Sequence, residues 1–264
     1  MAFTRLNNLL VHWRETGKPD APAVIFVNSL GTDCRLWDEL AETLGRDWRI
    51  MLYDKRGHGL TQATPGPYSI AMLADDLLAL ADYLGLARFA VVGLSIGGLI
   101  AQQVSLRAPQ RLSALVLANT AAQVGTIDSW NARIDSVTQN GLASIADTVM
   151  QRWFTPAFLA GQPDALTGWR AMLCSTPAAG YTATCTALRD ADLTAQIGAI
   201  VTPTLVVAGD GDRSTPPDLV RATASRIPGA RFALIPSCGH IPPAEQPAVL
   251  AALIQAHLQE HVHV

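Results

Sequence analysis

A chain of 264 residues, 49% of them hydrophobic and 16% charged, has enough apolar material for a packed core and argues against intrinsic disorder. A formal charge of -3 and a pI near 6.0, without any Lys/Arg run, exclude the electrostatic footprint of a nucleic-acid-binding protein. Residues 1–13, interrupted by Asn7 and Asn8, lack the apolar stretch of a secretory signal. The longest apolar run, 89–101, falls short of the ~20 residues that span a bilayer. A soluble, cytoplasmic protein with no membrane partner is therefore expected. Cys34, Cys174, Cys185 and Cys238 form no C-x-x-C pair and read as reduced thiols.

Short β-branched runs alternate with longer helical patterns, which predicts crossover units and a mainly parallel sheet flanked by helices, an α/β class. Strands are expected at 9–15, 23–28, 49–53, 89–93, 112–118, 204–208 and 232–235, several of them apolar throughout, as a strand buried on both faces should be. Between them, 70–84 carries Leu73, Leu77, Leu80 and Leu84 at helical spacing, and 98–106 reads as a helix after the 89–93 strand. The alternation stops after Asn119. From about residue 125 to 188 the pattern turns helical, with Trp130, Trp153, Trp169 and repeated Pro and Gly breaks, which predicts an inserted helical cap. Pro203 then opens the next strand, at a sheet edge where a missing N–H is tolerable. The expected organisation is a core of 1–120 and 192–264 with a cap of 121–191.

Gly93-Leu94-Ser95-Ile96-Gly97 fits G-x-S-x-G, and its setting between a buried strand and a helix is what that motif requires of a nucleophilic serine. The plainer alternative is a Gly-rich turn with an incidental serine. A serine needs a base, usually histidine. His257, His261 and His263 fall in the polar C-terminal helix and tail, His12 on the first predicted strand and His58 in an Arg56-Gly57-His58-Gly59 turn. His240, in the loop after the last strand, lies at the carboxyl edge where open α/β sheets place ligands. The histidine in turn needs a carboxylate. Asp210 and Asp212 both follow the 204–208 strand, and spacing alone does not choose between them; turn formation is the ordinary role of an Asp beside Gly. A developing oxyanion needs N–H donors: the amide of Ile96, after the serine, and one from Asn28-Ser29-Leu30-Gly31, with Leu30 preferred and Ser29 next.

Together these residues resemble the α/β-hydrolase superfamily over nearly the whole chain, including Tyr53-Asp54-Lys55-Arg56-Gly57-His58-Gly59. More narrowly the chain resembles 3-oxoadipate enol-lactonases. The resemblance is carried by Asn28-Ser29-Leu30-Gly31-Thr32-Asp33, Gly66-Pro67-Tyr68-Ser69-Ile70, Gly93-Leu94-Ser95-Ile96-Gly97-Gly98, Leu117-Ala118-Asn119-Thr120-Ala121, Trp153-Phe154-Thr155-Pro156 and Ala187-Leu188-Arg189-Asp190-Ala191-Asp192. It implies a Ser95, Asp212 and His240 triad, since the family's Gly-x-x-Asp loop matches Asp212. It also implies no metal or cofactor, and a small unsaturated lactone carrying a carboxylate as substrate. Asn28-Ser29 stands where the wider superfamily has His-Gly, and a serine at 95 argues against branches that use a carboxylate nucleophile.

A carboxylate is not desolvated by an apolar pocket without a cation. The cap offers Arg133, Arg152, Arg170 and Arg189. Arg133 is preferred because it lies three residues after Trp130 and would share its helical face; Arg152 follows, and Trp153 would form an apolar wall. A solvated surface side chain is the plainer role for any of these arginines. Competing readings are a general carboxylesterase or perhydrolase, a carbon–carbon bond hydrolase of the same fold, and a catalytically silent ligand-binding protein. Oligomeric state is not readable.

Overall fold

Alternating exposed and buried residues begin the chain as an antiparallel ribbon, β1 (Ala2–Leu6) and β2 (Leu9–Gly17). The computed structural model describes residues 1–262, so His263 lies outside the described residues. After the ribbon the chain alternates: β3 (Ala23–Val27), α1 (Asp38–Leu44), β4 (Arg49–Tyr53), α2 (Ile70–Tyr83), β5 (Phe89–Leu94), α3 (Ile96–Arg107) and β6 (Leu112–Ala118). Five helices follow: α4 (Ile127–Asn140), α5 (Ala146–Trp153), α6 (Pro156–Gly161), α7 (Pro163–Ser175) and α8 (Ala178–Arg189). The alternation then resumes with β7 (Thr204–Gly209), α9 (Pro217–Ala224), β8 (Arg231–Ile235), α10 (Pro242–Glu245) and α11 (Pro247–His261).

The strands form one sheet in the order β1-β2-β4-β3-β5-β6-β7-β8. β2 runs antiparallel to β1 and β4, and all neighbours from β4 to β8 are parallel. Every residue of β3, β5, β6 and β7 is buried, because helices cover both faces. The predicted stripe of α2 is realised, with Leu73, Leu77 and Leu80 in the core. α3 is sheathed almost all round and carries no polar face, consistent with its position beneath the central strands.

Two expectations need correction. β1 was not expected: it is short and half-solvated, with Phe3 and Arg5 turned outward, so it offers neither an apolar run nor a long alternation. Pro203 does not open an edge strand, because β7 lies between β6 and β8. Proline is tolerated there because it precedes the first strand residue, while its carbonyl still accepts the Leu115 N–H at 2.9 Å. Among the described residues no helix is long and apolar enough to cross a membrane, and all four cysteines are free.

Candidate active site

Parallel strands deliver their following loops to one edge of the sheet, and the residues singled out in the sequence gather there. Ser95 is the hinge between β5 and α3. Its backbone sits at φ 58 and ψ -119, a region that costs a non-glycine residue on the order of 1–3 kcal/mol and persists only when its surroundings enforce it. They do so here: the Ser95 amide donates to Ala118 O at 3.0 Å, and Thr120 Oγ1 donates to Ser95 O at 2.6 Å. The flanking glycines are required by crowding. A Cβ on Gly97 would lie 2.1 Å from Val27 O, and one on Gly93 2.2 Å from Gly97 O. Ile96 begins α3, so its amide has no acceptor within the helix and lies at the helix's positive end.

Beyond β8, His240 is held with 2% of its surface exposed, its amide donating to Trp153 O at 2.7 Å. Its Nδ1 lies 2.8 Å from Asp212 Oδ2. An ionised carboxylate only accepts, so Nδ1 carries the proton and Nε2 is left as an acceptor. Asp212 is itself fixed by four further donors: Asn119 Nδ2 at 2.8 Å and Thr215 Oγ1 at 2.6 Å to Oδ2, the amides of Ser214 at 2.7 Å and Thr215 at 3.0 Å to Oδ1. Burial alone would raise the Asp212 carboxyl, but His240 and the Thr215 donors outweigh it and hold the group below the usual carboxylate range. Asp210, the other candidate, is exposed and among the described residues accepts only the Cys238 amide, at 3.1 Å, a turn-forming role.

Asn119 and Thr215 escaped the sequence reading. Asn119 ends β6 in left-handed backbone, φ 46, and also donates to Gly239 O at 2.9 Å, so it ties the loops after β7 and β8 together. Its signal was an asparagine at a buried strand end. The remaining described histidines are engaged elsewhere: His12 Nδ1 on Asp54 Oδ2 at 2.7 Å, His58 Nε2 on the Gly31 amide at 3.0 Å, His257 between Arg231 and Pro203 O, and His261 beside Glu260.

Ser95 and His240 line one cavity of about 130 Å³, together with Leu30, Trp153, Arg133 and Arg152. No hydrogen bond joins Ser95 Oγ to His240 among the described residues, and such contacts in free enzymes commonly tighten when substrate binds. The helices between β6 and β7 thus place Arg133 and Trp153 in the lining of the cavity that Ser95 also lines. The Arg133 guanidinium carbon lies 5.4 Å from the Trp130 ring centre, the shared helical face predicted for that pair. Of the four candidate arginines, Arg170 pairs with Asp147 and Arg189 with Asp190, and neither lines the cavity. Arg133 and Arg152 line it and have no carboxylate partner among the described residues.

One group outside this cavity has the composition of a metal site: ligand atoms of His12, Cys34 and Asp54 lie within 4.8 Å of one another. Sequence reading saw no ligand cluster, because the three are far apart in the chain. The Asp54 oxygens are already taken by the amides of Cys34 and Leu60, at 2.7 and 2.9 Å, and by His12. Burial pushes the Cys34 thiol up to about 12, the opposite of what a thiolate ligand needs.

A serine on a strained strand-to-helix turn, facing a carboxylate-bound histidine at the carboxyl edge of a mainly parallel sheet, is the arrangement of the α/β hydrolases. The family model described as alpha/beta hydrolase fold matches residues 22–247, and the chain belongs to that family. Within it, 3-oxoadipate enol-lactonase 2 of Acinetobacter baylyi is 36% identical over 208 residues, 79% of this chain and 78% of that protein. The crystal structure of the enol-lactonase from Burkholderia xenovorans LB400 superposes with a TM-score of 0.96 at 33% identity, covering 98% of this chain and 100% of that one. A Stutzerimonas stutzeri protein named provisionally as the carbamate hydrolase RutD is 27% identical, covering 95% of this chain and 97% of its own.

Proposed function

We propose that this hydrolase opens the ring of 3-oxoadipate enol-lactone, with Ser95 as nucleophile, His240 as base and Asp212 as the group that orients the histidine. The observation that carries the reading is one cavity lined by Ser95, by His240 with Asp212 bonded behind it, and by two guanidinium groups without carboxylate partners among the described residues. A neutral ester hydrolase has no use for two uncompensated cations beside its serine; an anionic lactone does. The likeness to two enol-lactonases supports the same choice.

In this reading Ser95 Oγ attacks the lactone carbonyl carbon while His240 Nε2 takes its proton. The oxyanion is held by the amides of Ile96 and Leu30, and His240 returns the proton to the departing enol oxygen. Ketonisation of the released enol makes the opening hard to reverse. Water, deprotonated by His240, then attacks the acyl carbon; Ser95 Oγ leaves, taking the proton back from His240, and the acyl group is freed as the dicarboxylate 3-oxoadipate. No metal or cofactor enters these steps. Residues 121–191 act as a cap over a core of 1–120 and 192–264: Arg133 pairs with the substrate carboxylate, and Trp153 walls the cavity.

Loss of the enol-lactone's ultraviolet absorbance, followed beside panels of neutral esters and carbamates, tests the reading. The expected result is a kcat/KM for the lactone well above either panel. A preference for neutral esters would make the protein a general carboxylesterase, and a preference for carbamates would move it toward the RutD-like relatives.

A further inference from the structure

The amide of Leu30 has to face the reacting carbonyl oxygen, yet it sits in a loop, with no helix to aim it. A trans peptide plane offers a way to aim it from behind. The Leu30 N–H and the Ser29 C=O belong to one planar unit and point in opposite directions, so whatever grips the carbonyl sets the direction of the N–H. The Ser29 carbonyl is gripped by three donors from two residues that do not line the cavity: Lys55 Nζ at 2.6 Å, Thr32 Oγ1 at 3.0 Å and the Thr32 amide at 3.3 Å. The next amide, Gly31, at φ 74, donates to His58 Nε2 at 3.0 Å. The far end of the turn is held as well, because Thr32 O accepts from Asn28 Nδ2 and from Lys55 Nζ at 3.4 Å.

We propose that Lys55 and His58, both from the turn after β4, are positioning residues of the oxyanion site: they clamp the turn 29–32 so that the Leu30 N–H points into the cavity beside Ile96. This rests on the serine-hydrolase reading of Ser95. Lys55 and His58 are buried at 1% and 0% exposure and do not line the cavity, so neither reads substrate directly. A buried lysine on two backbone carbonyls is costly. Burial lowers the Lys55 pKa well below its ordinary value against the opposing pull of Asp54 and Asp33, and burial followed by the Lys55 charge does the same to His58. A neutral His58 suits its task, since Nε2 must accept from Gly31, leaving the Nδ1 proton for Arg56 O at 3.3 Å. A hydrophobic pair would fill the space more cheaply but would leave the Ser29 carbonyl held by Thr32 alone, at 3.0 and 3.3 Å.

The test uses Lys55→Met and Thr32→Val, which remove donors to the same carbonyl, and His58→Gln, which keeps an acceptor. Hydrolysis of p-nitrophenyl acetate and binding of an alkyl boronic acid, whose adduct with Ser95 mimics the oxyanion, are measured beside the melting temperature. Removing an oxyanion donor outright costs about a hundred- to a thousandfold, so misaiming one in Lys55→Met should lower kcat about ten- to a hundredfold with KM within about threefold. Boronate affinity should fall in parallel. Thr32→Val should show the same coupled losses at smaller size, and this variant decides the matter if Lys55→Met fails to fold; His58→Gln should lose least. Equal weakening of KM and kcat, or unchanged boronate affinity in a folded variant, would overturn the proposal. Because the substrate is a neutral ester, a parent enzyme that hydrolyses it but opens no enol-lactone would sink the lactone reading while this comparison still decides the clamp.

Discussion

Among the described residues the molecule contains two buried His–Asp pairs with similar Nδ1–Oδ2 separations, His12–Asp54 at 2.7 Å and His240–Asp212 at 2.8 Å, set in different surroundings. Asp54 spends its remaining lone pairs on the amides of Cys34 and Leu60, so the pair fastens the loops after β3 and β4, and His12 Nε2 is sealed without a partner among the described residues. Asp212 spends its own on Asn119, Ser214 and Thr215, which fix its position without blocking His240, and His240 lines the cavity that Ser95 lines. A hydrogen-bonded carboxylate and imidazole are therefore not a catalytic device in themselves. Topology decides: β8 delivers His240 to the carboxyl edge of the sheet, whereas His12 lies within antiparallel β2.

The largest effect that would sharpen this contrast is at the serine. Ser95→Ala should lower kcat on the enol-lactone by about three orders of magnitude or more, with the melting temperature close to that of the parent, because alanine leaves the turn and the two proposed oxyanion amides in place. Retention of more than about a tenth of parent activity would sink the assignment.

Next come the acids. Asp212→Asn should cost about a thousand- to ten-thousandfold in kcat, since an amide there favours the wrong imidazole tautomer, while Asp210→Asn should change it by less than about threefold. His12→Gln is the control from the other pair: stability should fall by about 1–3 kcal/mol in urea melts through the weakened Asp54 network, with kcat within about threefold of the parent. If His12→Gln stops turnover in folded protein, the two pairs are not functionally distinct.

A smaller effect is expected from the cavity's other side. Arg133→Met should reduce kcat/KM for the enol-lactone by about 1.5–3 kcal/mol, roughly ten- to more than a hundredfold, and spare small neutral esters. An equal loss on both substrates would mean that Arg133 supports the helices between β6 and β7 and does not read charge.

The smallest concerns a histidine outside both pairs. Burial first, and then the neighbouring charges of His261 and Arg231, lower His257 from its ordinary value of about 6.5 to about 4. As pH falls through that interval the unfolded chain takes up a proton that the folded chain refuses, so stability is lost from about 6.5 downward toward 4. Melting temperatures of His257→Gln should decline less steeply over that window than those of the parent. Parallel slopes would place the titrating group elsewhere.

Much of this was legible in the residues because it is local. The G-x-S-x-G turn, the apolar strands and the Leu stripe of α2 are patterns within single elements. Arg133 and Trp130 share a helical face for the same reason. What stayed hidden depends on elements far apart in the chain. Asp212 and Asp210 are indistinguishable by spacing, and only the 2.8 Å approach of His240, 28 residues later, separates them in the structure. Asn119, which bonds Asp212 across 93 residues, stood at a strand end within one of the resemblance segments, and nothing in the sequence tied it to Asp212. Lys55 was named only within the segment 53–59 that carries the superfamily resemblance, with no role of its own, whereas packing buries it against Ser29 O, 26 residues away. The wrong placement of Pro203 has the same root, since a strand's position in the sheet order is set by its neighbours.

The most direct test of the central claim, that His240 with Asp212 and not His12 with Asp54 activates Ser95, is the site and rate of modification by an organophosphonate, read by intact mass and peptide mapping. A single adduct on Ser95 is expected in the parent and, at a similar rate, in His12→Gln, with labelling of His240→Gln slowed by orders of magnitude. An adduct on another residue, or undiminished labelling of Ser95 in His240→Gln, would contradict the account.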